Sequence, residues 1–313
     1  MEIFALFIKF ALLYGMVLML VALGGMFSER SGIINIALEG IMVIGALAGV
    51  VADINLADKA PFVRVAGSIL SAGIAGMVYS FLLAFASINL KADQTIGGTA
   101  LNILATAIAM VVAKRVNSSA GVTADSARLT YSYDGFVYKI GGLTINIFFF
   151  VGMALLVIAY VVLYKTRLGL RLRACGEHPQ AADSLGINVY KMRYIGVLTS
   201  GFFGGIGGLA YILPANPNWD FKYGIAGMGF LALAVMIFGQ WKPFKIFFAA
   251  MFFAVFKSMA DIADSIPLLS QLRWPKEIYN TMPFIASMIV LALTSKKSRA
   301  PKAEGIPYEK GMR

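Results

Sequence analysis

Residues 4–27 read FALFIKFALLYGMVLMLVALGGMF, an apolar run whose one charged residue is Lys9. A transmembrane helix needs about 20 consecutive, mostly apolar residues, so this run is long enough to cross a bilayer. No basic leader precedes it, which favours a retained spanning helix over a cleaved signal peptide. The Lys9 side chain is expected to extend its amine towards the outer surface.

The rest of the chain continues this pattern. Hydrophobic residues make up 59% of the sequence and charged residues 14%, and the mean hydropathy is +0.78. The chain is therefore far more apolar than a water-soluble domain. Apolar runs bounded by polar residues, Gly or Pro predict an all-α, polytopic membrane helical bundle of about nine transmembrane helices, within a range of about eight to ten. The predicted spans are 4–27, 33–52, 62–89, 96–114, 144–164, 194–213, 225–239, 245–265 and 279–295. The run at 225–239 is short and Gly-rich, which is typical of a broken or re-entrant helix.

The distribution of Lys and Arg predicts the orientation. The net charge is +11, but the basic residues lie between apolar runs, so nucleic-acid binding is not expected. More of them fall in the loops that share a side with the C-terminus, and the positive-inside rule then places that side in the cytoplasm. We therefore expect a multi-pass plasma-membrane protein with a transmembrane domain at 1–295, an external loop at 117–143, an internal loop at 165–193 and a basic cytoplasmic tail at 296–313.

Two polar segments near the starts of spans are candidates for a transport pathway. Residues 28–40 read SERSGIINIALEG and place Asn35 and Glu39 four residues apart on one helical face. An ionisable residue at membrane depth costs about 2.5–3.5 kcal/mol, so Glu39 either lines a polar pathway or pairs with Arg30 or a helix terminus. Residues 93–102 read DQTIGGTALN and place Thr99 and Asn102 on one face.

Aromatic residues in a Gly-rich stretch are further candidates. Phe202 and Phe203 lie in GFFGGIGGLA at 201–210, and their rings could stack on a nucleobase or a sugar ring. Trp219 is assigned more simply to the aromatic belt of the membrane interface. Gly204 and Gly208 have the four-residue spacing of close helix crossings, and Gly97 and Gly98 favour tight packing in the same way.

The internal loop predicts a short helix. It contains GLRLRACGEHPQAADSLGINVYKMR at 169–193, in which Pro179 can open a helix and Gly186 can end it. Ala181, Ala182 and Leu185 would give this helix a small docking face for a soluble partner.

Catalytic and metal sites are not expected. His178 lies next to Glu177, but no second His, Cys or nucleophile stands in register with it. The single cysteine, Cys175, excludes an internal disulfide and is expected to be a free thiol facing the cytoplasm. The sequence contains no GxxxxGK[ST] motif, so any ATP that drives this protein must bind another chain.

Four segments together resemble the simple-sugar and nucleoside permeases of ATP-binding-cassette (ABC) importers, a branched-chain-type family. They are SERSGIINIALEGIM at 28–42, DQTIGGTALNIL at 93–104, the 169–193 segment and GMGFLALAVMIFGQWKP at 227–243. Their order is the expected one, and they are similar in particular to the second permease subunit of bacterial nucleoside uptake systems.

The resemblance implies function, partners and site residues. It implies a heterodimer with a second permease subunit, a cytoplasmic ABC ATPase that binds ATP and Mg²⁺, and an extracytoplasmic substrate-binding lipoprotein; this chain needs no cofactor. Substrate would pass the pathway candidates, and the ATPase would couple through Glu177, His178, Pro179, Ala182 and Gly186. A weak internal duplication would relate 31–46 to 224–239.

Three alternatives remain from the residues. One is a ribose-like sugar as substrate in place of a nucleoside. The second is a secondary transporter that couples to ions through Glu39, Lys257 and Asp261, the last two of which are spaced as an ion pair. The third is an intramembrane enzyme, against which the missing acid, base and metal ligands argue.

Overall fold

The computed structural model describes residues 2–119, 126–140, 143–215, 217–263, 276–294 and 300–310. Eleven α-helices account for most of these residues: α1 Glu2–Arg30, α2 Leu38–Asn55, α3 Pro61–Ala84, α4 Gln94–Ser119, α5 Ile147–Lys165, α6 Arg167–Glu177, α7 Pro179–Ser184, α8 Val189–Ile212, α9 Met228–Phe238, α10 Pro243–Ile262 and α11 Lys276–Thr294. A π-helical turn, Phe85–Asn89, extends α3.

Seven of the helices are long and apolar enough to cross a membrane: α1, α2, α3 with its π-helical turn, α4, α5, α8 and α10. Helix α9 has 11 residues and is too short to cross alone, and α11 packs against α10 and α9. The predicted all-α, polytopic membrane bundle is confirmed, and each predicted span corresponds to one of these nine helices. The protein is therefore a multi-pass membrane protein.

Helices α1 and α8 form the centre of the bundle. Glycines let α8 cross its neighbours at van der Waals distance, because a Cβ on Gly205 would lie 2.2 Å from the Ala72 carbonyl oxygen of α3. A Cβ on Gly208 would lie 2.0 Å from the Met42 carbonyl oxygen of α2. The Gly-rich segment at 201–210 is thus a helix-packing surface.

One end of the bundle gathers the segments predicted to lie inside. Arg30, at the end of α1, contacts Glu177 of α6 at 3.6 Å and donates to the Trp241 carbonyl at 3.2 Å. Helices α6 and α7 lie at this end, as do the described residues 300–310, where Glu309 forms an ion pair with Lys91. The basic loops therefore share one end.

The opposite end carries two small antiparallel sheets. Strand β1, Arg128–Thr130, pairs with β4, Asn218–Asp220, and β2, Val137–Ile140, pairs with β3, Leu143–Asn146. Beside them Arg64 donates to both carboxylate oxygens of the buried Asp53, at 2.6 and 2.7 Å. Part of the predicted external loop, residues 120–125 and 141–142, lies outside the described residues.

One prediction about this chain is refined and one needs correction. In the segment predicted to be a basic tail, residues 300–310 pack into the end of the bundle; residues 296–299 and 311–313 lie outside the described part. Cys175 is a free thiol but does not face solvent, because it is fully buried beside Ala182 and Tyr308. Burial raises the pKa of this thiol to about 11.

Candidate functional site

The backbone just before α2 is not helical and takes its hydrogen bonds from α4. Helix α2 begins at Leu38, five residues later than the predicted span. The Gln94 side chain accepts from Ile34 N–H at 2.7 Å. Asn102 donates to the Ile36 carbonyl at 2.9 Å and accepts from Gly40 N–H at 2.7 Å. Unsatisfied backbone groups are costly away from water, so these two side chains make the irregular backbone possible.

Glu39 joins the start of α2 to the start of α9. Its two carboxylate oxygens accept from Gly227 N–H at 2.8 Å and from Gly229 N–H at 2.6 Å. The free N–H groups and the positive end of a helix dipole both favour a carboxylate at this position. Of the two interpretations of Glu39 from the sequence, the pairing with a helix terminus is therefore observed, although with α9 and not with Arg30.

The geometry of α9 explains why it needs such a partner. Ala226 and Gly227 both have positive φ values, 55° and 79°, so the chain turns sharply before the helix starts. Trp219, expected in the interfacial belt, donates to the Gly224 carbonyl at 3.0 Å and so fixes the same turn. Helix α9 thus begins inside the bundle.

The segments 31–46 and 224–239 have related forms. In each, irregular backbone leads into a helix that starts inside the bundle. The two helices run in opposite directions. Helix α2 runs away from the end of the bundle that contains Arg30, whereas α9 runs towards that end, and Trp241, just after α9, contacts Arg30. The two helix starts meet at Glu39, as an inverted repeat would place them.

A cavity of about 600 Å³ lies beside this junction, a volume within the about 300–1,000 Å³ of small-molecule sites. It is lined by residues of α2, α4 and α9: Glu39, Thr99, Asn102, Ile103, Thr106, Ala107, Met110 and Phe230. The structure thus brings together three of the six predicted pathway residues, Glu39, Thr99 and Asn102.

Sequence reasoning missed two polar or aromatic residues of the cavity, Thr106 and Phe230. Thr106 follows Thr99 by seven residues and so lies on the same face of α4, which is a signal that could have identified it. Phe230 stands directly after Gly229, and only the contact between Glu39 and α9 brings it to the cavity.

Three predicted pathway residues lie elsewhere. Asn35 is fully buried and donates to the Ser200 hydroxyl at 2.8 Å, so it ties the start of α2 to α8. Phe203 is buried against Phe27, with ring centroids 5.7 Å apart. Phe202 packs on Gly73, where a Cβ would lie 2.5 Å from the ring. These three side chains do not line the cavity, and the two aromatic residues of α8 lie in helix contacts instead.

A larger cavity, of about 810 Å³, lies on the outer face of α3. It is lined mainly by aliphatic side chains such as Leu70, Ile74 and Val78, which are exposed on the surface of the bundle. A surface of this kind suits lipid or an apolar helix and offers few groups that could orient a polar solute. The smaller cavity is therefore the better candidate.

The segment predicted to bind a soluble partner forms α7. Pro179 occupies its first turn, and Gly186, with a φ of 79°, follows its end, as the sequence predicts. Ala182 is buried against the chain itself and does not belong to a docking face. Leu185, in contrast, is 82% exposed.

The remaining predicted coupling residues divide similarly. Pro179 is buried, whereas His178 and Gly186 are exposed. Glu177 is half-exposed and pairs with Arg30. The exposed surface at α7 is therefore formed by His178, Gln180, Ala181, Ser184, Leu185 and Gly186.

Lys257 and Asp261 form the expected ion pair, at 3.2 Å, within α10. Asp261 also accepts from the Tyr14 hydroxyl, and the Lys257 amine lies 5.6 Å from the centroid of the Tyr14 ring. These contacts join α1 to α10 and none of the three residues lines the cavity, so the pair has a structural role here. Within the described residues no group of His, Cys, Asp and Glu could hold a metal ion.

Comparison with known proteins agrees with this architecture. A family model described as "Branched-chain amino acid transport system / permease component" matches residues 7–293. The guanosine ABC transporter permease protein NupQ of Bacillus subtilis (strain 168) is 39% identical, with 100% of this chain and 99% of NupQ covered. The nucleoside ABC transporter permease protein NupC of Lactococcus lactis subsp. cremoris (strain MG1363) is 39% identical, with 96% and 95% covered.

A more distant relative is named for a different solute. The putative glucose ABC transporter permease protein TsgC13 of Haloferax volcanii (strain DS2) is 28% identical, with 88% of this chain and 87% of TsgC13 covered. No solved structure matches the chain. On the family model and the two full-length relatives, this chain belongs to the permease components of the branched-chain amino acid transport system family.

Proposed function

We propose that this chain is a permease subunit of an ABC importer that moves nucleosides across a bacterial plasma membrane. The observation that carries the proposal is the cavity at the junction of α2, α4 and α9, in a chain whose 39% identical relatives are named guanosine and nucleoside permeases. The chain itself catalyses no covalent reaction. ATP and Mg²⁺ bind a separate ATPase subunit.

The electrostatics of the cavity favour a neutral substrate. A helix start inside a membrane often binds the anionic group of a solute. Here the start of α9 already has a carboxylate, that of Glu39, which accepts from two of its N–H groups. A second anion at this point would meet the charge of Glu39, so a zwitterionic or acidic solute fits less well than a nucleoside.

The polar groups of the cavity favour a substrate rich in hydrogen-bond donors. The Thr99 hydroxyl donates to the Thr95 and Ile96 carbonyls of its own helix, at 3.0 and 2.9 Å. Its oxygen then remains available as an acceptor, as does that of Thr106, which donates to Asn102. Ribose hydroxyls and base amino groups are such donors.

Phe230 gives the cavity an aromatic surface. Its ring is 45% exposed at the cavity wall. A planar base can stack on such a ring, and a stacked base contributes about 1–3 kcal/mol. A simple sugar would use the acceptors but gain less from the ring, so the cavity favours a nucleoside over the ribose-like alternative.

A second permease subunit completes the pathway. Ile103 is 75% exposed, and the cavity opens at the surface of the bundle beside it. Polar groups such as Thr99 are unfavourable next to lipid. A second, similar subunit covers the opening and supplies the other wall, which makes the transporter a heterodimer in the membrane.

The two ends of the bundle bind the two soluble partners. The end with α6, α7 and residues 300–310 carries the basic loops and lies in the cytoplasm, in accord with the positive-inside rule. There the exposed face of α7 docks on the ABC ATPase. The opposite end, with β1 and β4, receives substrate from the extracytoplasmic lipoprotein.

Competition for uptake tests the substrate class. Uptake of radiolabelled guanosine is measured in cells that produce this chain with its partner subunits. Excess unlabelled guanosine, ribose or glucose is added as the competitor. We expect guanosine to abolish uptake of the label and both sugars to leave it unchanged. Inhibition by ribose at equal concentration would instead establish the sugar-permease alternative.

A further inference from the structure

Residues 300–310, which belong to the segment predicted to be a basic cytoplasmic tail, cross the cytoplasmic end of the bundle and contact several other segments. Ala303 N–H donates to the Gly176 carbonyl of α6 at 2.9 Å, and Gly305 N–H donates to the Gly32 carbonyl before α2 at 3.2 Å. We name residues 300–310 the strap.

The contact of the strap with the segment before α2 needs small residues. Gly305 has a φ of 75°, and a Cβ there would lie 2.9 Å from the Ile34 side chain. Gly32 has a φ of 99°, and a Cβ there would lie 3.3 Å from the Ala303 carbonyl oxygen of the strap. Gly32 and Gly305 thus let the strap and the segment before α2 lie directly against each other.

Tyr308 anchors the far end of the strap beneath α7. Its ring is buried in an apolar cluster and lies 5.4 Å from the Tyr190 ring, edge to face. The same cluster contains Ala182, the buried residue of α7, and Cys175 of α6. The strap therefore forms part of the surface on which α7 rests.

Arg193 links this anchor to the bundle. Its side chain is 1% exposed, and its guanidinium donates to the Ile306 carbonyl of the strap at 3.0 Å. The guanidinium carbon lies 6.0 Å from the centroid of the Tyr308 ring. A buried cation needs such partners, so the strap and Arg193, in the first turns of α8, hold each other in place.

We propose that the strap positions α7 for the ATPase, with Tyr308 and Arg193 as positioning residues, so that movement of α7 reaches the start of α2. The inference rests on the proposed function, because it assumes that α7 docks on an ATPase. The contacts provide a route for this movement. Helix α7 rests on Tyr308. Gly305 of the same strap donates a hydrogen bond to Gly32, which lies seven residues before Glu39.

The chain contains its own probe for strap docking. Cys175 is the one cysteine of the sequence and is fully buried in the cluster with Tyr308. Maleimide labelling of the purified transporter at fixed pH then reports whether the strap is in place. We expect slow labelling of the wild type and of Tyr308→Phe, which keeps the ring, and labelling faster by about tenfold or more in Tyr308→Ala. Equal rates in Tyr308→Ala and the wild type would overturn the proposal.

Coupling is measured in proteoliposomes that contain the complete transporter, as guanosine taken up per ATP hydrolysed. Tyr308→Ala is expected to lower this ratio by about tenfold while ATP hydrolysis continues, because the cost of losing a buried ring exceeds one decade in an equilibrium constant. Two variants serve as controls and should keep the wild-type ratio. Tyr308→Phe retains the buried ring, and Ile306→Ala changes a side chain of the strap that is exposed. An unchanged ratio in Tyr308→Ala would contradict the positioning role.

Two further variants make the result unambiguous. If Tyr308→Ala does not assemble, Arg193→Lys replaces it, since lysine keeps the charge but not the planar guanidinium; a wild-type ratio in that variant overturns the proposal.

Leu185→Asp, on the exposed face of α7, tests the proposed function separately. Loss of uptake in Leu185→Asp together with a wild-type ratio in Tyr308→Ala refutes the strap alone, whereas normal uptake in Leu185→Asp refutes the docking of α7 itself.

Discussion

The carboxylate of Glu39, in the first turn of α2, accepts a hydrogen bond from the N–H of Gly229, in the first turn of α9, at 2.6 Å. The second carboxylate oxygen accepts from Gly227. One side chain thus caps a helix that lies 190 residues away in sequence and starts inside the membrane. The candidate cavity depends on this contact, because it places Phe230 opposite α4.

Replacement of Glu39 tests this capping role. Glu39→Ala leaves two N–H groups of α9 without an acceptor, at a cost of about 1–3 kcal/mol for each buried group. We expect a lower thermal unfolding temperature of the purified transporter and loss of most uptake.

Glu39→Gln serves as the graded control, since its one amide oxygen can still accept from Gly227 or Gly229. Its stability should fall between those of the wild type and Glu39→Ala. Equal unfolding temperatures for all three proteins would show that the caps do not stabilise the fold.

Two cavity residues are expected to determine substrate affinity. Phe230→Ala removes the stacking surface, and Thr106→Val removes an acceptor at nearly constant volume. We predict that Phe230→Ala raises the KM for guanosine uptake by about tenfold or more, and that Thr106→Val raises it by less, because one hydrogen bond contributes about 0.5–1.5 kcal/mol. Val157→Ala, on the exposed face of α5 and away from the cavity, is the matched control and should leave KM unchanged. A KM in Phe230→Ala equal to that of the control would place the substrate elsewhere.

A pair of glycines tests the close packing of α8. Gly208→Ala would place a Cβ 2.0 Å from the Met42 carbonyl oxygen, and such overpacking costs about 1–3 kcal/mol. Gly97→Ala, within α4, meets nothing within 4 Å. We expect Gly208→Ala to unfold at a lower temperature and Gly97→Ala to match the wild type or exceed it slightly. Identical unfolding of the two variants would contradict the observed helix crossing.

We expect the docking of the strap to depend on pH through Glu304. Burial raises its pKa above the ordinary value of 4.5, although a hydrogen bond with Glu29 and the charge of Arg30 act in the opposite direction. A carboxyl with a raised pKa stabilises the docked state when it is protonated. Docking should therefore be strongest at and below the ordinary pKa and weaken as the pH rises through the raised pKa.

Labelling of Cys175 measures this dependence, with Glu304→Gln as a permanently neutral control. Comparison with the control at each pH removes the titration of the thiol itself. We expect the ratio of the wild-type rate to the Glu304→Gln rate to increase with pH. A ratio that does not change with pH would show that Glu304 is not protonated in the docked strap.

The sequence predicted the helices well because their signal is local. Each apolar run is long enough to be recognised without knowledge of its neighbours, and even the short α9 could be identified as a broken span. The start of α2 was placed five residues too early. The backbone before Leu38 makes hydrogen bonds to the side chains of Gln94 and Asn102 in place of those of a helical turn. Both side chains belong to another helix, α4, so the local sequence does not show these bonds.

The candidate site was only half predictable, for a similar reason. Glu39, Thr99 and Asn102 could be identified as polar residues in apolar surroundings, and all three line the cavity. Asn35 has the same signal, and Phe202 and Phe203 stand out as aromatic residues in a Gly-rich stretch, but all three lie in helix contacts. Such contacts depend on the rotation of each helix in the bundle. The sequence likewise gave no sign that its basic C-terminal residues dock, since Glu304 and Tyr308 find their partners more than a hundred residues away.

The most direct test of the central claim is guanosine uptake into proteoliposomes that contain this chain, a second permease subunit, the ATPase and the binding lipoprotein. ATP is enclosed on the side of the ATPase, and a catalytically inactive ATPase provides the control. The account predicts uptake that requires ATP and the active ATPase and that persists when ion gradients are dissipated. Uptake that continues with the inactive ATPase but collapses with the ion gradients would contradict it and identify an ion-coupled transporter.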